Sequence, residues 1–393
     1  MAVTLIVNPG SSSKKFALYR ENISVLNSHV ERSQDGFETC VFIDGVQQKC
    51  EPVNRHKFNE SLFKFLEDAE SCKIITALSE VTQVAVRVVA PGTFFQSHRE
   101  INDDYIKRLK DQQSFAPLHI PHVLSEIEII KKILPQARII SASDSAFHAT
   151  IPDYIRQYSI KKEDSKKHDI YRFGYHGLSV SSVVRRIHAV TGVDSKRTII
   201  CHIGSGVSIT ATKDYRSFDT TMGYTPGNGL LMGSRAGDLD AGALLALMKI
   251  KNFKPVDAET YIQSDGGLRG LTGESDLRFH IDKRAKGDKD AGEAVSAFVY
   301  HVQKAIGGYM AVLGGLDMLV FTATAGERSS TLRTLIVEEL KGLGIELDAD
   351  KNELCVSRDG VISKSGAQIK VVVIKTDESD EILRICNTME SDG

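Results

Sequence analysis

The chain has 393 residues, 41% hydrophobic and 25% charged, which is ordinary globular composition in a length that suits two well-buried domains. Its 49 basic and 51 acidic side chains nearly cancel, which excludes the strong positive field needed to hold nucleic acid or an anionic membrane surface. The start MAVTLIVNPG lacks the basic region and apolar core of a signal peptide, and no run approaches the ~20 apolar residues of a bilayer span, so a soluble cytoplasmic protein is expected.

The six cysteines Cys40, Cys50, Cys72, Cys201, Cys355 and Cys386 are dispersed without a CxxC pair, and read as free buried thiols in a reducing cytosol.

In chain order, the first predicted element is a β-hairpin: an apolar strand Val3 to Val7, a polar turn Asn8 to Ser13, and a second strand around Phe16 to Tyr19. The strand Val84 to Val89, helices Ile101 to Gln113 and Val123 to Leu134, and the strand Ala137 to Ser141 follow. The polar stretch Lys161 to His168 reads as a surface loop. About 194 positions after the first hairpin the pattern returns: Thr198 to Cys201, the turn His202 to Gly206, then Val207 to Thr212, with Asn8, Gly10 and Ser11 opposite His202, Gly204 and Ser205.

A long helix is marked by Ala294, Val295, Phe298, Val299, Val302, Ala305, Ile306, Tyr309 and Met310 on one face. The strand Met318 to Phe321, the turn Thr322 to Glu327, the strand Ile369 to Ile374 and a helical segment Glu381 to Cys386 close the chain. A repeat at half-chain spacing with alternating strands and helices indicates two homologous α/β domains facing one another.

Several segments carry candidate chemistry. The turns NPGSSSKK and HIGSGVS offer backbone N–H and hydroxyl donors of the kind that cradle phosphate, although serine-rich turns also merely cap strands and helices. Arg235 lies in the glycine-dense stretch Phe218 to Gly242, placed either for bidentate contact with a carboxylate or phosphate or for a salt bridge to Asp238 or Asp240. Arg87 interrupts the apolar strand VAVRVVA, where a charge needs an anionic ligand or a buried ion-pair partner. Asp144 follows an apolar strand, the place where α/β folds put their chemistry, while His148 reads as structural and His176 is a loop histidine before glycine.

Together VNPGSSSKK, VRVV, APLHIP, DSAFHAT, FGYHGLS, HIGSGVS, DTTMGYTP, GLLMGSRAGDLD, GLRGLTGESDLR, FTATAGE and IKTDE, in this order, resemble the acetate kinase family of the acetate and sugar kinase, Hsp70 and actin superfamily. The resemblance implies two duplicated ribonuclease-H-like domains with mixed sheets flanked by helices, 1–147 and 148–378, with the C-terminal helix 379–393 packing back on the first. It implies reversible phosphoryl transfer from ATP to acetate, giving acetyl phosphate and ADP, with Mg²⁺ or Mn²⁺, in a homodimer. Carried over by residue, Asn8 and Glu378 hold the metal and Lys15 assists phosphate binding. Arg87 binds substrate, Arg235 and His176 stabilise the transferring phosphoryl group, and Asp144 positions the metal or acts as acid and base. His202, Ile203, Gly204, Ser205 and Gly206 contact donor phosphates, and Asp276, Leu277 and Arg278 with Thr324, Ala325, Gly326, Glu327 and Arg328 contact adenosine. The chemistry is coherent, because a carboxylate is already a nucleophile at neutral pH and the remaining task is aligning two anions.

The chain departs from the family where a histidine and two glycines usually follow VRVV, having Ala90, Pro91 and Gly92, and where Ala323 and Thr324 replace two glycines. The second departure bears on the donor and leaves pyrophosphate as an alternative to ATP. A propionate or butyrate kinase is the nearest other reading. A non-catalytic nucleotide-binding module is countered by the retained Asn8, Arg87, Asp144, His176, Arg235 and Glu378. A sugar kinase would need a carboxylate base and a polyol pocket, which two arginines aimed at an anion do not supply.

Overall fold

A computed structural model describes residues 3–10, 13–33, 36–117 and 119–391, so Ser11 and Ser12 of the first small-residue turn, and Leu118 of APLHIP, lie outside the described residues. The chain divides into two compact units, Met1–Ala146 with Glu378–Gly393, and Phe147–Asp377.

The first unit is built on an eight-stranded sheet of order β5-β4-β3-β2-β1-β6-β8-β7. Its strands are β1 (Val3–Pro9), β2 (Ser13–Arg20), β3 (Ile23–Ser33), β4 (Gly36–Ile43), β5 (Val46–Val53), β6 (Val81–Val88), β7 (Arg99–Glu100) and β8 (Arg138–Ser143). β1 to β5 form an antiparallel meander, whereas β1, β6 and β8 run parallel. Parallel strands are covered on both faces and therefore read as continuous apolar runs, as LIV and VAV do here. The helix Glu378–Ser391 packs on β1, β6 and β8 and buries Ile382, Leu383, Ile385 and Cys386.

The second unit carries a six-stranded sheet of order β11-β10-β9-β12-β14-β13, from β9 (Arg197–Ile203), β10 (Val207–Lys213), β11 (Arg216–Thr220), β12 (Met318–Thr322), β13 (Gly360–Val361) and β14 (Lys370–Val373). β9 pairs antiparallel with β10 and parallel with β12, which is parallel to β14. Thus β3-β2-β1-β6-β8 and β11-β10-β9-β12-β14 share one order and one set of strand directions, the duplication expected from the repeat and the ribonuclease-H-like arrangement implied by the resemblance. The helix Lys289–Leu313 is capped by Asp288, whose side chain accepts from Ala291 N, and ends at Gly314 with φ +69°.

Three local expectations change. Lys162–His168 is a helix rather than a loop, because Glu163 and Asp164 in its first turn and Lys166, Lys167 and His168 in its last complement the helix dipole. Ala323–Arg328 is also helical where a turn was expected; threonine in place of a glycine at 324 raises helix propensity, while Ala323 opens the segment at a left-handed φ. The six cysteines are not all free buried thiols. Cys40 and Cys50 are direct cross-strand partners in β4 and β5, with Cα atoms 4.1 Å apart, and form a disulfide. Cys72 is a free, exposed thiol, and Cys201, Cys355 and Cys386 are free and buried.

Candidate active site

In the first unit three parallel strands end together, and each end delivers a polar side chain. Asn8 lies near the end of β1, Arg87 near the end of β6, and Asp144 directly after β8, the carboxyl-end placement typical of α/β chemistry. Arg87 Nε and Nη2 donate to the two Asp144 carboxylate oxygens at 3.2 and 3.0 Å. Its Nη1 donates to Asn8 Oδ1 at 3.2 Å and lies 3.7 Å from Glu378 Oε2. Asn8 Nδ2 in turn donates to Glu378 Oε2 at 2.7 Å.

Of the two readings of Arg87, the buried ion pair is thus on display, while its side chain retains 19% exposure. Burial opposes its charge, but the Asp144 and Glu378 carboxylates outweigh burial and raise its pKa. Two carboxylates against one guanidinium leave a formal charge of −1 in a set of oxygen donors, the chemistry that suits a hard divalent cation.

Alternation along β2 separates the two lysines of NPGSSSKK. Lys14 is sealed in, 2.5 Å from the buried carboxylate of Glu126, and serves the core. Lys15, half-buried, is the cross-strand partner of Asn8.

In the second unit His176 is the N-cap of the helix Gly177–Thr191 and takes a left-handed φ of +61°. Its ring stacks on that of His202 at 4.0 Å. Each imidazole is hydrogen-bonded to a buried serine, His176 Nδ1 with Ser208 Oγ at 3.0 Å and His202 Nδ1 with Ser179 Oγ at 2.8 Å. Gly206 explains the small-residue turn physically. A Cβ there would lie 2.8 Å from His176 Nε2 and 3.5 Å from Arg235 Nη1, so both nitrogens close on one bare Cα.

Arg235 Nη1 also donates to Pro226 O at 3.1 Å. Asp238 accepts from Asn228 and from Gly229 N, and Asp240 accepts from Ala243 N as a helix cap. His148 is structural, its two nitrogens bonded to Ser217 Oγ and Tyr175 O.

The two candidate adenosine segments differ in accessibility. Asp276 caps the helix Leu277–Ala285, and the side-chain hydrogen bond from Arg278 holds its carboxyl below the usual range. Thr324 and Arg328 are exposed and Ala325 half-buried, whereas Gly326 and Glu327 are buried. The carbonyls of Gly326 and Glu327 accept from Arg333, a fully buried guanidinium that also donates to Asn352 and to Cys355 O. The Glu327 carboxylate accepts from Thr376 N at 2.9 Å. It belongs to a run in which the amides of Ile374, Lys375, Thr376 and Asp377 donate in turn to Phe321 O, Asp359, Glu327 and Ser182.

The acetokinase family model matches residues 3–384, nearly the whole length. The chain belongs to the acetokinase family. An acetate kinase of Flavobacterium johnsoniae is 36% identical over 386 residues, covering 96% of this chain and 97% of the relative. Among solved structures, the Porphyromonas gingivalis acetate kinase superposes with a TM-score of 0.86 at 30% identity, covering 99% of this chain and 100% of that one. A propionate kinase from Francisella tularensis gives 0.88 at 30% identity, covering 98% and 99%.

Within this acetokinase-family chain, reading the sequence passed over Ser179, Ser208, His98 and Arg333. The serines lie inside quoted motifs, but nothing in the spacing shows that each meets a histidine from the other motif. His98 carries no motif signal, yet its Nδ1 accepts from Ser143 N at 3.1 Å, beside Asp144. Arg333 sits in an ordinary helical pattern and becomes notable only through its burial.

Proposed function

We propose that the chain is an acetate kinase, transferring a phosphoryl group reversibly between ATP and acetate by in-line attack of the carboxylate. The convergence of His176 Nε2 and Arg235 Nη1 on Gly206 carries this reading, because it sets an imidazole nitrogen and a guanidinium donor over a phosphate-type turn. Arg235 and His176 spread charge over the phosphoryl oxygens, and Arg87 binds the acceptor carboxylate. Asp144, fully buried and paired with Arg87, orients that arginine and completes the acidic set.

Asn8 and Glu378, with Asp144, would hold Mg²⁺ or Mn²⁺, which would supply positive charge to offset that of the donor phosphates. Lys15 and the turn His202, Ile203, Gly204, Ser205, Gly206 take the phosphates, and Asp276 to Arg278 and Thr324 to Arg328 take adenosine. The exposed Thr324 is accommodated beside the nucleotide.

A second reading, propionate kinase, is favoured by the likeness to the Francisella enzyme, and one methylene changes binding by only ~1–3 kcal/mol. Location in the cytoplasm fits the absence, among the described residues, of any helix long and apolar enough to cross a membrane. Homodimerisation is supported by the helix Ala241–Lys251, which buries none of its residues, and by exposed Leu245, Ile250, Val256 and Leu271, apolar area that a second copy would cover. Sedimentation of the protein and of Ile250→Glu checks it.

The deciding experiment traps acyl phosphate with hydroxylamine, with Mg²⁺, ATP or pyrophosphate, and acetate, propionate or butyrate. Turnover of acetate with ATP, abolished in Arg235→Ala, is expected. No product from any carboxylate with either donor would overturn the proposal.

A further inference from the structure

His176 and Ser208 come from different elements, the first capping the helix Gly177–Thr191 and the second lying in β10, yet their Nδ1 and Oγ are hydrogen-bonded at 3.0 Å in a buried setting. Ser208 is fully buried, and it is the cross-strand partner of His202, whose ring stacks on His176. His202 is held by the same device, a buried serine on its Nδ1. Two imidazoles stacked at 4.0 Å disfavour simultaneous charging, because like charges would face each other away from water.

A neutral imidazole carries its proton on one nitrogen only, and the hydrogen bond at the other nitrogen selects which. We infer that Ser208 is a positioning residue: its O–H donates to His176 Nδ1 and holds the ring as the Nε2–H tautomer, with that N–H directed over Gly206. Nε2 is the nitrogen that lies against the bare Gly206 Cα. The opposite tautomer would present a lone pair there and repel an anionic oxygen. Ser179 does the same for His202, and because it sits in the first turn of the helix that His176 caps, the two clasps brace each other.

The inference rests on the reading that His176 donates to phosphoryl oxygens, and its test separates the two. Nitrogen NMR of ¹⁵N-histidine-labelled protein reports the tautomer directly, without turnover, and is read for the parent, Ser208→Ala, Ser208→Thr and, as a comparison, Ser179→Ala. Expected are an Nε2–H signature for His176 in the parent, a mixed signature in Ser208→Ala, and restoration in Ser208→Thr. Acyl-phosphate assays should show kcat lowered at least tenfold in Ser208→Ala with KM values changed less than threefold, and recovery in Ser208→Thr.

An Nδ1–H signature in the parent, or an unchanged signature in folded Ser208→Ala, overturns the inference; the parent spectrum decides even where the alanine variant does not fold. A shifted tautomer with unchanged kcat supports the positioning role and instead removes His176 from the catalytic reading.

Discussion

The guanidinium of Arg87 grips the carboxylate of Asp144 through two hydrogen bonds, 3.0 and 3.2 Å long, at the ends of adjacent parallel strands. Asp144 is fully buried, so removing Arg87 takes away the guanidinium that faces its carboxylate where water does not reach. Arg87→Ala is expected to destabilise the protein by about 3–5 kcal/mol as well as abolish turnover. Adding Asp144→Asn should recover part of the stability and none of the activity. Denaturant titration checks this, and an unchanged midpoint for the single variant would contradict it.

Gly206 tests a steric claim without backbone strain. Gly206→Ala pushes a methyl toward His176 Nε2, and an ångström of displacement at a reacting group costs on the order of 10²-fold in rate. We expect kcat to fall by about that factor with an unchanged melting temperature. Full activity in the alanine variant would mean that His176 does not need its present place.

His98 sets a pH dependence. Burial first, then the charge of Arg384, push its pKa from 6.5 down to about 4, against a smaller raising effect of Glu381. Between those values the unfolded chain takes up a proton that the folded chain refuses. Stability is therefore complete above pH 6.5 and drains as pH falls toward about 4, by roughly 3 kcal/mol if the group acts alone. His98→Gln should flatten the stability profile in that window, and parallel profiles for the two proteins would count against this origin.

Ala323 occupies a left-handed φ of +63°. That conformation costs a residue with a Cβ roughly 1–2 kcal/mol, partly offset by the ~0.5–1 kcal/mol of extra chain entropy glycine loses on folding. Ala323→Gly should thus stabilise by about 1 kcal/mol or less, read from the unfolding midpoint. A destabilised variant would show that the alanine methyl packs usefully.

The cysteines give a direct count. Without reductant, a thiol reagent should label Cys72 quickly and Cys201, Cys355 and Cys386 only after unfolding, with Cys40 and Cys50 joining after reduction. Labelling of all six in the unfolded, unreduced protein would show that the β4–β5 pair remains a dithiol.

Much of the fold was legible because its signals are local. Two hairpins with small-residue turns, and apolar parallel strands such as VAVRVVA and MLVF, announce themselves by period and punctuation. The helix 323–328 was hidden behind residues that read as a turn, and the helix 162–168 behind a polar run whose charge order, not its apolarity, makes it helical. The partners in the candidate site were less legible. Arg87 and Asp144 are separated by 57 residues, and only strand order makes them neighbours. Ser208 reads as a strand serine until the fold puts His176 against it, and Arg333 is ordinary in sequence because most of its partners are backbone carbonyls, which every residue supplies.

The run of captured amides after β14 has a mechanical meaning. A connecting peptide normally spends its donors on water and so behaves as a slack tether. From Ile374 to Asp377 the donors are already engaged, one after another, by Phe321, Asp359, Glu327 and Ser182, and the next residue is Glu378. A stay so fully cleated has no free length to pay out.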